Sequence, residues 1–354
     1  MVAGALLGLL LALGLLALGR QAAFFAAPTF RNPLSDSGPD PWMTYHDGNY
    51  YLAATTWGDP FVGLTMRKSA TIADLKSAAP VRIWHDWTPE RCCNYWAPEF
   101  FLLRGPNGLR WYGYYSGGPA GCCDSQRIHA IESAGTDLMG PYAYKGQLRD
   151  STDDRSIDAS LLQLNGSLYL LFAARIGTEQ RIFIAPMENP WTLKGERVLL
   201  SAPTYDWEKE GGSINQGPVA LQHGGETFII YSASYCGGGG YKLGMLTYTG
   251  DDPLRQDSWT KAPTPVFHGT DRVFSPGHNT VFKSPDGTQD WIAYHASESA
   301  SGGCDMYRTP RIQRFEWNTD GTPKFGSPVS VNTDLAVPSG EGGTRVRSPW
   351  LEGW

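Results

Sequence analysis

At 354 residues the chain has room for one large domain or two ordinary ones, and all-β barrels and propellers reach this length as a single unit. Gly 42, Pro 25, Trp 13, Tyr 17 and Phe 14 beside only 18% charged residues suit many short strands joined by tight turns, and argue against long amphipathic helices. A formal charge of −6 with no cluster of Lys or Arg argues against a nucleic-acid partner, because a phosphate backbone needs a basic stripe to displace its counterions.

The first element is an uninterrupted run of Leu, Ala, Gly and Val from Val2 to Gly19, ending at Arg20 and followed by Gln21-Ala22-Ala23. It has the form of a secretory signal, and it is also about long enough to cross a bilayer as an uncleaved anchor. Residues 1–27 are therefore assigned to a signal peptide or signal anchor. Either one delivers the rest of the chain outside the cytosol, secreted or held at the membrane.

Five segments of one form follow: a polar residue, a short apolar run, a turn containing Gly, an aromatic and a second apolar run. They run from Asp40 to Thr56, Glu99 to Ser116, Asp158 to Ala174, Gln216 to Ser234 and His278 to Ser297, and each reads as a hairpin. Their leading residues are 59, 59, 58 and 62 positions apart. The stretches between them, such as Arg181 to Met187 and Lys242 to Thr249, can supply outer strands. The spacing predicts an all-β fold, a five-bladed β-propeller over residues 28–337, with a flexible tail over 338–354. If Asp40, Glu99, Asp158, Gln216 and His278 start the innermost strands, they converge on one mouth of a central channel; otherwise they cap strands at a solvated rim.

Six cysteines in an oxidising compartment point to disulfides. Cys92-Cys93 and Cys122-Cys123 are adjacent pairs, which leaves Cys236 and Cys304, but six cysteines permit fifteen pairings and the spacing does not choose among them. Zinc is disfavoured, since adjacent cysteines lack the loop that wraps a tetrahedral ion. Asn165-Gly166-Ser167 is a glycosylation sequon and equally an Asn-Gly hairpin turn.

Glycoside cleavage needs a proton for the departing oxygen and, in the inverting case, a base for water. The series Gly38-Pro39-Asp40-Pro41-Trp42, Trp96-Ala97-Pro98-Glu99, Ser156-Ile157-Asp158, Trp207-Glu208 leading to Ile214-Asn215-Gln216-Gly217-Pro218, and Gly277-His278 resembles glycoside hydrolase family 43, the arabinofuranosidases and xylosidases with a five-bladed propeller. The resemblance covers about residues 30 to 335. It implies Asp40 as general base of an inverting hydrolase and Asp158 as the second carboxylate, which positions the acid and raises its pKa. The family carries Glu as general acid where this chain has Gln216, and a carboxamide donates a hydrogen bond but delivers no proton. Three readings follow: a carbohydrate-binding propeller without turnover, hydrolysis of substrates whose leaving group needs little protonation, or another acid, with Glu208 and Glu210 nearest in sequence.

Further substrate contacts are assigned to Trp42, Trp57 and Trp96, whose flat rings suit the C–H faces of sugars. Glu99 either binds sugar hydroxyls or satisfies donors in its own blade. His278 either holds a water or ion beneath the sugar, as the resemblance implies, or is a hydrogen-bonded structural residue. Arg308, in Tyr307-Arg308-Thr309-Pro310-Arg311, corresponds by resemblance to an arginine that contacts substrate. The expected partner is an arabinose- or xylose-containing oligo- or polysaccharide acted on by a monomer; no cofactor is called for beyond a structural ion such as calcium in the channel.

Overall fold

The computed structural model describes residues 27–57 and 62–342. The apolar run assigned to a signal lies outside them. Five antiparallel sheets follow one another along the chain. Blade 1 comprises Trp42–His46, Asn49–Ala53, Leu64–Ser69 and Val81–Trp84; blade 2 comprises Cys93–Gly105, Gly108–Gly118, Arg127–Ser133 and Tyr142–Leu148. Blade 3 holds Ser156–Leu164, Ser167–Ile176 and Glu179–Asn189, the last pairing with both Thr192–Leu193 and Val198–Ser201. Blade 4 is Asn215–His223, Glu226–Ala233, Lys242–Tyr248 and Trp259–Lys261, and blade 5 is Phe274–Lys283, Asp290–Ser297, Thr309–Trp317 and Pro323–Lys324.

Each blade starts with a hairpin because the sequence supplies the turn. Asp47-Gly48 and Asn165-Gly166 take positive φ at both residues, the backbone that joins twisted strands in two residues. The first strands touch their neighbours all round the ring, and five apolar clusters fill the five junctions between blades. This is the five-bladed propeller that the repeat predicts.

The ring is closed by the chain ends. Thr29–Phe30 pairs antiparallel with Leu335–Ala336, and the buried Asn32 side chain both donates to the Ile312 carbonyl and accepts from the Ile312 N–H. Of the tail assigned to residues 338–354, only 338–342 lie among the described residues. The Ser339 N–H donates to Gln289 Oε1, and Glu341 Oε2 accepts from the Ile72 N–H, so the chain is held as far as Glu341. Disulfides join Cys92 to Cys93, Cys122 to Cys123 and Cys236 to Cys304.

Candidate active site

In a ring of antiparallel blades every first strand starts on the same face, so residues 59 or so apart meet at one mouth. The structure corrects the register of that meeting. At Asp40, Ala97, Asp158, Gly217 and His278 the backbone turns left-handed, with φ of 55°, 44°, 60°, 56° and 49°. In blades 2 to 5 a bulge in the first strand's pairing falls at this point. Bulges of this kind re-aim a side chain, and left-handed backbone at a non-glycine residue costs on the order of 1 kcal/mol. Asp40, Asp158 and His278 are therefore equivalent, whereas Gln216 stands one residue before its blade's turning point and Glu99 two residues after. Pattern alone aligned polar residues; the bend selects Ala97 and Gly217.

Each turned N–H is caught by a side chain at the end of the preceding blade's second strand. Ala97 donates to Thr55 Oγ1 at 2.9 Å, Asp158 to Ser116 Oγ at 3.1 Å, His278 to Ser232 Oγ at 2.8 Å and Asp40 to His295 Nδ1 at 3.0 Å. The exception is Gly217. Ala173 stands opposite Ile157 where the other blades place Ser, Thr or His, and Asp158 Oδ2 itself accepts the Gly217 N–H at 3.0 Å. Gly217 is needed here: a Cβ would sit 3.0 Å from His278 Nδ1, on left-handed backbone.

Asp40 is the most constrained group. Its Oδ2 accepts from Thr55 Oγ1 at 2.6 Å, while Oδ1 lies 3.2 Å from Arg308 Nη1, 3.4 Å from His278 Nδ1 and 3.3 Å from His295 Nδ1. Burial alone would raise its pKa, but the Arg308 guanidinium, and after it His278, overcome that and hold it well below the usual carboxylate range. Asp158 moves the other way: burial pushes its pKa up, and the charge of Asp40 adds to the shift. His295, buried and next to Arg308, is driven down to about 3 and is neutral at ordinary pH.

Gln216 is held from both sides. Its Oε1 accepts from Gln180 Nε2 at 2.6 Å and its Nε2 donates to the Tyr241 hydroxyl at 2.7 Å. The Tyr241 ring stacks on His295 with centroids 5.5 Å apart. Both nearby glutamates are held by other partners. Glu208 is buried in its own network, accepting from Lys261, Tyr231 and Asn215 and from the Thr204 and Tyr205 N–H groups. Burial opposes its charge, yet Lys261 and those donors keep its pKa below the usual value, so it is ionised. Glu210 is half-exposed and paired with Lys242 at 2.5 Å.

Glu99 is buried in the channel wall, where Ser160 Oγ donates to it at 3.4 Å. Burial, with Asp158 nearby, lifts its pKa to about 8, which makes it a neutral acid over the acidic range. Trp57 and Trp96 pair at the mouth with centroids 5.4 Å apart. Trp42 does not join them: it is buried between blades 1 and 2 against Phe100 and Trp111, a packing residue, because the strand alternation turns it away from the mouth. Arg308 reaches Asp40 directly, so it acts on the carboxylate and is not a surface pair. Among the described residues no group of three or more His, Cys, Asp or Glu side chains could hold a metal ion. Sequence reasoning missed Thr55, His295, Tyr241 and Gln180; only the first two carried a signal, as polar residues closing a repeat's second strand.

A family profile described as glycosyl hydrolases family 43 matches residues 30–323. An extracellular exo-α-(1→5)-L-arabinofuranosidase of Streptomyces avermitilis is 36% identical over 338 residues, 91% of this chain and 69% of that protein. α-L-Arabinofuranosidase 43 of Humicola insolens is 34% identical over 86% of this chain and 64% of its own length, so the chain spans about two thirds of these relatives. The crystal structure of an α-L-arabinofuranosidase from Lactobacillus brevis superposes with a TM-score of 0.77 at 33% identity, covering 86% of this chain and 98% of that one.

Proposed function

Because the chain belongs to glycosyl hydrolase family 43, we propose that it is an extracellular, exo-acting α-L-arabinofuranosidase that works by inversion and depends on its leaving group. The similarity to proteins named as arabinofuranosidases, two of them extracellular, supports the sugar and the location. The observation that carries the mechanism is the opposed tuning of two largely buried carboxyls, Asp40 kept ionised and Asp158 pushed up.

In this reading Asp40 accepts a proton from water, the water oxygen bonds to the anomeric carbon, and the bond from that carbon to the glycosidic oxygen breaks. Gln216 offers that oxygen only an N–H, so the departing group leaves as an alkoxide or phenoxide and takes its proton from solvent. Asp158 fixes the Gly217 backbone and hence the place of Gln216. Rates should therefore fall steeply as the leaving group becomes more basic.

A series of aryl α-L-arabinofuranosides tests this. The wild type should show a strong dependence of kcat/KM on leaving-group pKa. Gln216→Glu should flatten it and raise turnover of the poorest leaving groups by roughly 10²–10⁴-fold, the usual worth of acid assistance. No cleavage of any arabinofuranoside by either protein would remove the proposal.

A further inference from the structure

The molecule exposes five large hydrophobic side chains among its described residues, and four are aromatic: Trp57 at 39%, Trp87 at 67%, Tyr235 at 45% and Tyr307 at 82%. All four lie on one face. First strands run away from the mouth and second strands return to it, so the links from second to third strand and from one blade to the next are mouth loops. Trp57 follows Asn49–Ala53, Tyr235 follows Glu226–Ala233, Tyr307 precedes Thr309–Trp317, and Trp87 lies between Val81–Trp84 and the first strand of blade 2. The fifth residue, Val81, starts an outer strand at the opposite end.

We propose that these rings form a rim that docks the main chain of a pentosan, the polysaccharide carrying the terminal sugar that enters the mouth. The proposal rests on the hydrolase reading given above. Sugars stack one C–H face on one flat ring, and four exposed rings with, among the described residues, no exposed large aliphatic side chain on the same face suit a chain of sugars better than a protein partner, whose interface has a continuous apolar core. The rim is continuous with the site. Trp57 leans on Trp96, which packs with Ala97 and Ile157 beside Asp158, and Tyr307 adjoins Arg308, the partner of Asp40. Two of the rings are also braced: the Cys236–Cys304 disulfide ties the loop of Tyr235 to the loop of Tyr307, and the Gly238 N–H donates to the Gly302 carbonyl at 2.7 Å. Rings held in place before binding lose less entropy when a chain settles on them.

Affinity electrophoresis of the full chain through gels containing linear (1→5)-α-L-arabinan, arabinoxylan or hydroxyethylcellulose tests the rim without requiring turnover. Retardation by at least one pentosan and not by the cellulose is expected, with the two pentosan gels identifying the main chain. The triple variant Trp87→Ala, Tyr235→Ala, Tyr307→Ala should run freely. Its kcat/KM on the retarding polymer should fall by about tenfold or more, with cleavage of an aryl arabinofuranoside unchanged. Equal mobility of wild type and variant, no retardation by either pentosan, or an equal loss on polymer and aryl substrate overturns the proposal. Absence of any hydrolysis refutes the enzymatic reading alone, because the gel still decides the rim.

Discussion

Asp158 Oδ2 accepts the backbone N–H of Gly217 at 3.0 Å, the only one of the five blade junctions at which a carboxylate takes the place of a hydroxyl or imidazole. One carboxyl thus has two tasks, joining blades 3 and 4 and shaping the electrostatics of the mouth. The tasks separate by mutation. Asp158→Asn keeps an acceptor and should stay within about 1 kcal/mol of wild-type stability while losing most activity. Asp158→Ala leaves a buried N–H unpaired and should cost about 1–3 kcal/mol in addition. Urea unfolding together with aryl-glycoside kinetics checks the split, and equal stability of the two variants would contradict it.

On the proposed mechanism Arg308 should set the acid limit of activity. Asp40 would have to be ionised to accept a proton, and its carboxyl is largely buried, so removing the nearest full charge lets burial raise its pKa. Activity lost at low pH should then be lost at higher pH: in Arg308→Leu the acidic limb of kcat/KM should move upward by roughly one unit or more. A pH profile of unchanged shape and lower height would mean that Arg308 contacts substrate only.

Glu99 should make stability fall as pH rises from about 4.5 to about 8. Its pKa rises from the ordinary 4.5 to about 8 on folding, so the folded state binds the proton more tightly. Its contribution is intact below about pH 4.5 and is progressively lost as pH climbs toward 8. Glu99→Gln removes that loss. The variant should gain on wild type by on the order of a few kcal/mol between pH 5 and pH 9, read as the difference in urea midpoints. A difference that does not change with pH would show that Glu99 is already ionised when folded.

The Cys236–Cys304 bridge closes a loop across a sequence separation of 68 residues and braces the segments leading to Tyr241 and Arg308. Replacing both cysteines by Ser should cost about 2–4 kcal/mol. It should also raise KM, because the partners of Gln216 and Asp40 lose a common anchor. Differential scanning calorimetry and kinetics on one preparation test both effects, and unchanged stability and KM would show that the bridge braces neither segment.

The order of motifs and the repeat of hairpins were legible in the amino-acid string alone, because strand alternation, Asp-Gly and Asn-Gly turns and a near-constant spacing are local properties. Asp40, Asp158 and His278 could be placed at one mouth from spacing, since radial repetition brings equivalent positions together whatever fills the blades. Which residue in each blade turns inward was decided by tertiary structure. The left-handed bend at Ala97 and Gly217 depends on an acceptor supplied by the neighbouring blade, tens of residues away in the chain. The same holds for Trp42, whose type suits a sugar platform but whose strand position buries it against Phe100. Charge tuning was equally out of reach: Asp40 and Asp158 are the same residue, and only Arg308 beside one and burial acting on the other drive them apart.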